Sequence, residues 1–364
     1  MKWLEQLARQ SVTPPITRLV ANNSDAYLES TGIQKLGWRS FRRQLAVALT
    51  GQNSHCHHTA SPTWKKGLWV YEGIPQIGDA LMDLAPRSLF ALCDVTLDLV
   101  APPHISSLFQ NDPWFCNVYS LTQISDFKKN HYDFVIAMSH KHRSLKYKKK
   151  LCPALPWLSI HEHFTGPEFQ RAEFATQRIV SLFNIEISHQ DFNYHAQQKL
   201  KPFPDNLKTI PNRPLAIGIT VGGVDGKRIY QHWVSVLQQL EKYPLSFVLL
   251  GSENGTSCAQ SIEALCPCFK IDNQVNRRTL ADCRDIMAQL DLVLCCDGGL
   301  MHLALTTTTP AVCLFNSLVD PDWRLPQSNN CTALQSSTAE VSGIAPELIA
   351  SKVVTLLNLE PSAE

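Results

Sequence analysis

The chain has 364 residues, 44% of them hydrophobic and 18% charged, with a formal net charge of +1. That length suits two domains of roughly 150 residues each better than a single core, and the composition excludes a disordered chain. The near-neutral charge argues against a general nucleic-acid binder, so an anionic partner would have to be met by a local basic patch.

No apolar run reaches the ~18 residues that a membrane span needs. The opening MKWLEQLARQSVTPP has no continuous apolar core and does not read as a signal peptide. The twelve cysteines are scattered, several inside apolar runs such as Cys295 and Cys296 in LDLVLCCD. They are expected to be reduced, mostly buried thiols of a cytoplasmic protein.

Residues 1–66 show no clean alternation and form an N-terminal extension, with helices predicted at 1–8 and 38–49. GQNSHCHHTASPT (51–63) reads as a polar linker. From residue 67 the pattern changes. GLWVYEG is a short apolar run ending in glycine, as a buried strand would be. IGDALMDLAPRSLFALC has helical spacing, with Ile77, Leu81, Leu84 and Leu89 on one face. VTLDLV (95–100) and YDFVIAM (132–138) are predicted strands. Strand–helix–strand order predicts a parallel sheet with crossover helices over 67–198.

KLKPFPDNLKTIPNRP (199–214) holds four prolines and suits an interdomain linker. A second alternation fills 215–364. PLAIGITV, LSFVLLG, LDLVLCCD and PAVCLF are predicted strands. Helices are predicted at YQHWVSVLQQLEKY, CAQSIEAL, LADCRDIMAQL, GLMHLALTT and PELIASKVVTLLNL. The expectation is an α/β chain of two doubly wound domains facing across a cleft, with ligands at the carboxyl ends of the strands.

Three motifs follow predicted strands. In CCDGGLMHLAL (295–305), Asp297 ends the strand, Gly298 and Gly299 allow close backbone approach, and a helix opens that would seat a diphosphate. Asp297 can accept from sugar hydroxyls, with His302 in the first turns. Equally, Asp297 can be a helix cap and His302 a core residue. In TVGGVDGKR (220–228) the glycines can approach a phosphate that Lys227 would neutralise. Arg228 breaks the P-loop pattern, and a solvated turn explains the stretch as well. In GIPQIGDALMDLAP (73–86), Asp79 opens a helix just after a strand. It can act as a general base on an acceptor hydroxyl, or simply complement the helix dipole.

In this order the motifs resemble glycosyltransferase family 9, the bacterial lipopolysaccharide heptosyltransferases. The matching pieces are IGDALMDLAPRSL, YDFVIAM, GKRIYQHWVSVLQQL, FVLLGSE and above all DIMAQLDLVLCCDGGLMHLALTTTTPAVCLFNSLVDPDW. The resemblance spans about 67–357 and is most specific in its last third. It implies the GT-B fold, two Rossmann-like domains with the acceptor bound by the N-terminal one. It also implies an ADP-heptose donor, inversion at the anomeric carbon, and no metal or other cofactor. Carried over, it makes Asp79 the catalytic base, places Lys227 on the donor phosphates and has Asp297 hold the donor sugar. The backbone of Gly298 and Gly299 would lie near the diphosphate. Thr220 and Gly222 would line the pocket, His302 would support it, and Glu253 would meet the ribose hydroxyls. The chain departs from the family pattern at Gly298, where Ser or Thr is usual, at the turn Thr307–Thr308–Thr309, and at Asn316, which replaces a glycine.

Other clusters are weaker. KHRSLKYKKK (141–150) is either a patch for an anionic acceptor or for the inner membrane surface, or a solvated helix face. His140, Lys141 and Arg143 would point towards the acceptor. HCHH (55–58) lacks a second ligand pair for zinc, and HEH (161–163) reads as a surface turn. The expected function is transfer of heptose from ADP-heptose to a lipopolysaccharide-core hydroxyl, without nucleic acid. Another nucleotide-sugar, a protein acceptor, or binding without catalysis are the alternatives.

Overall fold

The computed structural model describes residues 2–16, 24–72, 74–122, 131–166, 169–200, 214–326 and 330–360. Two compact units divide the chain, Met1–Gln198 and Lys199–Glu364. Most of the proline-rich stretch read as a linker lies outside the described residues.

The first unit is built on a parallel sheet in the order β3-β2-β1-β4-β5. Its strands are β1 (Lys66–Val70), β2 (Thr96–Ala101), β3 (Asn117–Ser120), β4 (Phe134–Ala137) and β5 (Trp157–Ser159). β1 and β4 are almost wholly apolar because both of their faces are covered. A Cβ on Gly67 would lie 2.4 Å from the Phe134 ring, so this β1 position has no room for a side chain. The predicted long helix is interrupted. An α-helix runs Ile77–Asp83 and a 3-10 helix follows at Ala85–Cys93. Pro86 cannot donate to the carbonyl four residues back, which ends the α-helical ladder.

The N-terminal 66 residues pack as part of this unit. Helix Lys2–Val12 lies against helix Ile33–Leu49, with Ala8, Val12, Leu28 and Leu36 forming a small apolar core. Gly37 makes the crossing close: a Cβ there would lie 2.5 Å from the Leu4 carbonyl oxygen. The pair is tied to the body where Thr165 N–H donates to the Ser11 carbonyl at 2.7 Å and Arg43 Nη1 donates to the His163 carbonyl at 2.8 Å.

The polar stretch 51–63 is docked and does not act as a free linker. Gln52 is buried, its carbonyl accepts from Trp157 Nε1 at 3.0 Å, and its side chain accepts from Lys148 Nζ. Lys148 belongs to the basic run, which forms helix His142–Leu151. Its ammonium is buried and capped by the Pro153 and Leu155 carbonyls, and that burial pulls its pKa down to about 8. The run is therefore neither a purely solvated face nor wholly a docking patch. Helices Arg171–Phe183 and Ser188-capped His189–Ala196 also occupy a region that the sequence pattern left unassigned.

A charged network sits inside the first unit. Asp83 is fully buried and accepts from Tyr71 Oη at 3.2 Å, His161 Nε2 at 3.1 Å, and Arg171 Nε and Nη2 at 2.7 and 2.9 Å. Residue 161 is thus no surface turn: the His161 ring is buried and stacks on Phe174 at 4.9 Å. Burial alone would raise the Asp83 pKa, but Arg171 and His161 outweigh it and bring it down to about 2.

The second unit carries a parallel sheet in the order β11-β10-β9-β6-β7-β8. The strands are β6 (Leu215–Thr220), β7 (Leu245–Leu250), β8 (Lys270–Asn273), β9 (Leu292–Cys296), β10 (Ala311–Phe315) and β11 (Cys331–Gln335). Buried Trp233 and Tyr230 pack with Val236, Ile349 and Val353 from helices Trp233–Gln239 and Pro346–Leu357, and each large apolar side chain buried this way contributes roughly 1.5–3 kcal/mol. Helix Leu280–Met287 starts in a capping box between Thr279 and Asp282. The cysteines are free thiols, and burial pushes Cys296 up to about 12. No helix among the described residues is long and apolar enough to cross a membrane.

Two outcomes test this packing. Gly37→Ala must part the N-terminal helices and is expected to lower stability by about 1–3 kcal/mol in a urea titration. Because the Asp83 pKa falls from 3.8 to about 2 on folding, its stabilisation is complete above pH ~4 and is lost as pH falls through about 2. The first unit of wild type should therefore lose stability across that window, by on the order of 2 kcal/mol. In Asp83→Asn, less stable throughout, the slope should be flatter.

Candidate functional site

In each sheet the chain reverses direction of winding once, between β1 and β4 and between β6 and β9. Ligands of doubly wound sheets bind outside the carboxyl ends of the strands at such a point. The sequence-predicted residues fall around these two edges.

In the second unit Asp297 follows β9 directly. Its N–H donates to the Leu314 carbonyl of β10 at 3.0 Å, which fixes the residue at the sheet edge. Its carboxylate is only 4% exposed and is met by two guanidinium groups, Arg228 Nη1 at 3.0 Å and Arg324 Nε at 3.9 Å. Arg228 comes from the loop after β6 and Arg324 from the segment that follows 3-10 helix Pro321–Trp323. A carboxylate buried this deeply is retained only when paired, and Arg228 and Arg324 supply the ion pairs at the mouth of the β6–β9 crevice. Arg228 also meets Asp225, whose other oxygen accepts from the Lys227 N–H at 3.1 Å. Lys227 itself is exposed on the short 3-10 helix Gly226–Arg228.

Thr220 is buried at the end of β6. Gly222 has φ +81° and would drive a Cβ to 2.6 Å from Asn254 Oδ1 and 2.7 Å from the Gly255 nitrogen. Only glycine serves there. This close approach clamps the loop after β6 onto the loop after β7, and Asn254 Nδ2 closes it by donating to the Gly223 carbonyl at 2.6 Å. Glu253 lies exposed on that second loop.

Gly298 and Gly299 open helix Gly299–Ala304, which is six residues long. The diphosphate seat expected from a helix N-terminus is correspondingly weak, since so few peptides supply little dipole. The cationic groups at this edge are Arg228 and Arg324, both paired with carboxylates, and the exposed Lys227. Gly298 is extended, and the nearest atom to a Cβ there is the Cys296 carbonyl oxygen at 3.8 Å. Packing therefore does not demand glycine, and a serine fits. His302 is buried in the same helix, in a core setting.

In the first unit Asp79 lies in the first turn of helix Ile77–Asp83, beyond the end of β1. Its side chain is 30% exposed and meets Arg171 Nη1 at 3.3 Å. Arg171 thus spans a buried carboxylate, Asp83, and a half-open one, Asp79. Two negative neighbours hold its guanidinium charged despite burial. Lys141 caps helix His142–Leu151 and keeps an exposed side chain. Desolvation lowers its pKa, Arg43 and Arg171 push the same way, and Asp83 and Asp79 oppose them, which places Lys141 within electrostatic reach of the Asp79–Arg171 pair. Arg143 is exposed on the same helix.

His140 does not point outward with them. It is 3% exposed, packs edge-on to Trp157, and its Nδ1 lies 3.1 Å from His163 Nε2. Burial beside His163 pulls its pKa well down, so it is a neutral core residue.

The sequence reading missed Arg228, Arg324 and Arg171. Arg228 was visible beside Lys227 but counted only as a break in a P-loop pattern. Arg324 directly follows the DPDW segment. Arg171 stands 88 residues from Asp83, and no local pattern joins them.

Comparison with known proteins gives the family and the fold. Residues 124–343 match the model of glycosyltransferase family 9 (heptosyltransferase). The fold is similar to that of a family 9 glycosyl transferase from Veillonella parvula, with TM-score 0.66 and 12% identity over 83% of this chain and 99% of that one. It is also similar to ADP-heptose LPS heptosyltransferase II of E. coli, with TM-score 0.58 and 17% identity over 80% and 98%. A third similar structure is E. coli heptosyltransferase WaaC with ADP, at TM-score 0.61 and 12% identity over 80% and 99%. No curated protein matches the sequence. The two parallel α/β sheets are those of GT-B heptosyltransferase structures. With its matched region covering more than half its length, the chain belongs to glycosyltransferase family 9, the heptosyltransferase family.

Proposed function

We propose that this glycosyltransferase moves heptose from ADP-heptose to a hydroxyl of a lipopolysaccharide-core acceptor, with inversion at the anomeric carbon. In this reading the unit around 67–198 binds the acceptor and the unit around 215–364 binds the donor. The observation that carries it is the Arg228–Asp297–Arg324 cluster at the β6–β9 edge, two guanidinium groups gathered on one buried carboxylate in a chain of family 9. The similar E. coli structures are described with ADP and with an ADP-heptose analogue, which supports an ADP-linked donor.

Direct displacement requires a base on the acceptor and positive charge on the leaving group. Asp79 accepts the proton of the acceptor hydroxyl, and Arg171 holds its carboxylate in place. The acceptor oxygen bonds to the anomeric carbon as the bond from that carbon to the diphosphate oxygen breaks. ADP leaves with the electron pair, stabilised by Lys227, Arg228 and Arg324. Gly222 and Gly299 let the backbone approach the diphosphate, Thr220 and Glu253 face the nucleotide, and Asp297 and His302 position the arginine pair and the helix.

A second donor is favoured by one observation. Space exists for a side chain at Gly298, yet the hydroxyl that family members carry there is absent. A different nucleotide-sugar would account for its loss.

Asp79→Ala is expected to cut kcat by about 10²–10⁴-fold while leaving nucleotide affinity unchanged by calorimetry. Full activity in that variant would rule out its role as base. ADP at a hundredfold excess over its Kd should stabilise wild type by about 2.7 kcal/mol, and Arg228→Ala should lose most of this shift. A preference for UDP or GDP compounds in the same thermal assay would keep the fold assignment and replace the donor.

A further inference from the structure

The N-terminal helix pair carries an apolar face that the fold leaves in water. Twelve large apolar side chains are exposed among the described residues, and five of them, Trp3, Ile33, Trp38, Leu45 and Leu49, lie on helices Lys2–Val12 and Ile33–Leu49. Exposed apolar residues scattered singly are ordinary on a protein surface, but a contiguous group marks a contact surface. Both helices lie outside residues 124–343, the region matched by the family model.

The group is contiguous for a geometric reason. On helix Ile33–Leu49, Trp38, Phe41, Leu45 and Leu49 follow one another at intervals of three, four and four residues. That spacing sets them in one stripe about 16 Å long. Leu36 and Val47 point the other way, into cores, so the helix has one apolar face buried and another open. Trp3 joins the open face from helix Lys2–Val12. Its ring meets Trp38 and Phe41 edge-on at centroid distances of 5.9 and 5.6 Å, and Trp38 meets Phe41 at 5.6 Å. The three rings hold one another in place while both indoles stay 47% exposed, and Leu49 at the far end is 77% exposed. The charges interleaved with the stripe are all positive. Helix Ile33–Leu49 carries Lys35, Arg39, Arg42 and Arg43 and no acidic residue. Lys35 and Arg42 are exposed, three residues before and four after Trp38, and so border it. Glu5, the one acid on helix Lys2–Val12, is engaged by Arg9 at 3.3 Å, and Asp25 meets the same arginine at 3.2 Å.

We propose that this face docks on the surface of an anionic lipid bilayer. A helix lying in the interfacial layer presents tryptophan, phenylalanine and leucine to the acyl boundary and lysine and arginine to the headgroups, and this helix is built that way on its open side. Long cationic side chains beside the stripe reach lipid phosphates while their stems stay on apolar surface. A neutral bilayer would take the apolar stripe and leave the cations without partners, so the fit is to a surface of negative charge. A second copy of the chain fits poorly, because pairing two such faces brings two sets of exposed cations together. The inference does not rest on the donor or the acceptor proposed above.

The test uses the full chain and vesicles of phosphatidylcholine with and without phosphatidylglycerol. Wild type should co-sediment with the anionic vesicles and bind the neutral ones at least about tenfold more weakly. Leu45→Gln/Leu49→Gln and Lys35→Gln/Arg42→Gln should each weaken anionic binding at least about tenfold. All four side chains are exposed, so thermal unfolding should match wild type in both variants. ADP binding, measured in parallel, should be the same in all three proteins, and a failure of the donor reading would show there and not in the sedimentation. Lys149→Gln/Lys150→Gln, on the exposed end of helix His142–Leu151, removes charge from a different surface and should bind as wild type does. Phosphatidylglycerol brominated on its acyl chains should quench the tryptophan fluorescence of wild type. In Trp3→Phe/Trp38→Phe, which keeps aromatic rings in the cluster, that quenching should be lost while sedimentation persists. Wild type that ignores anionic vesicles, anionic binding unchanged in both stripe variants, or binding lost only in Lys149→Gln/Lys150→Gln overturns the proposal. A dimer that Leu45→Gln/Leu49→Gln dissociates, without vesicle binding, gives the face to a second copy of the chain instead.

Discussion

A carboxylate taken out of water has to be surrounded by donors, and each half of this chain is arranged around one. In the first unit that group is Asp83, enclosed by Arg171, His161 and the Tyr71 hydroxyl. In the second it is Asp297, held between Arg228 and Arg324. Removing either partner would strand a buried charge, a loss of several kcal/mol. The pairing geometry is therefore enforced, and with it the position of every residue the arginines touch. Arg171 presents Asp79 because its other nitrogens are committed to Asp83. Arg228 and Arg324 stand at the β6–β9 edge because Asp297 cannot release them cheaply.

Both carboxylates sit where parallel sheets are open to ligands. Parallel strands buried on two faces expose only their ends, and the edge where winding reverses leaves a crevice that no crossover connection fills. The loops there need tight control. Gly222 supplies it in the second unit, since its positive φ and its contact with Gly255 exclude any other side chain. Gly298 differs. A Cβ there would come no nearer than 3.8 Å to the Cys296 carbonyl oxygen, so packing does not require glycine at that position.

The N-terminal residues show how a segment without an obvious pattern is used. Helix Ile33–Leu49 contributes Leu36 and Val47 to cores and Gly37 to a close crossing, while Arg42 stays exposed and Arg43 is tied to the His163 carbonyl. The buried Lys148 works the same way in reverse. One lysine of a basic run is withdrawn to cap the Pro153 and Leu155 carbonyls, and its neighbours stay in water.

The sequence alone determined the repeated α/β alternation, the long core strands, the glycine-bounded motifs after β6 and β9, and the family resemblance. Those signals are local: a buried strand is a continuous apolar run, and a loop that needs glycine says so in place. It did not reveal β3, β5, β8 or β11, because three to five residues carry too few periods to distinguish a strand from a loop, whether partly exposed as in β3, β8 and β11 or buried as in β5. Asp79 and Asp297 were legible as carboxylates just beyond strands. What became of them was decided by tertiary structure, through Arg171, Arg228 and Arg324. The same holds for His140 and His161, whose polar sequence neighbours gave no sign of burial. Charge pairing depends on distance in space, and the chain brings these groups together only when the sheets form.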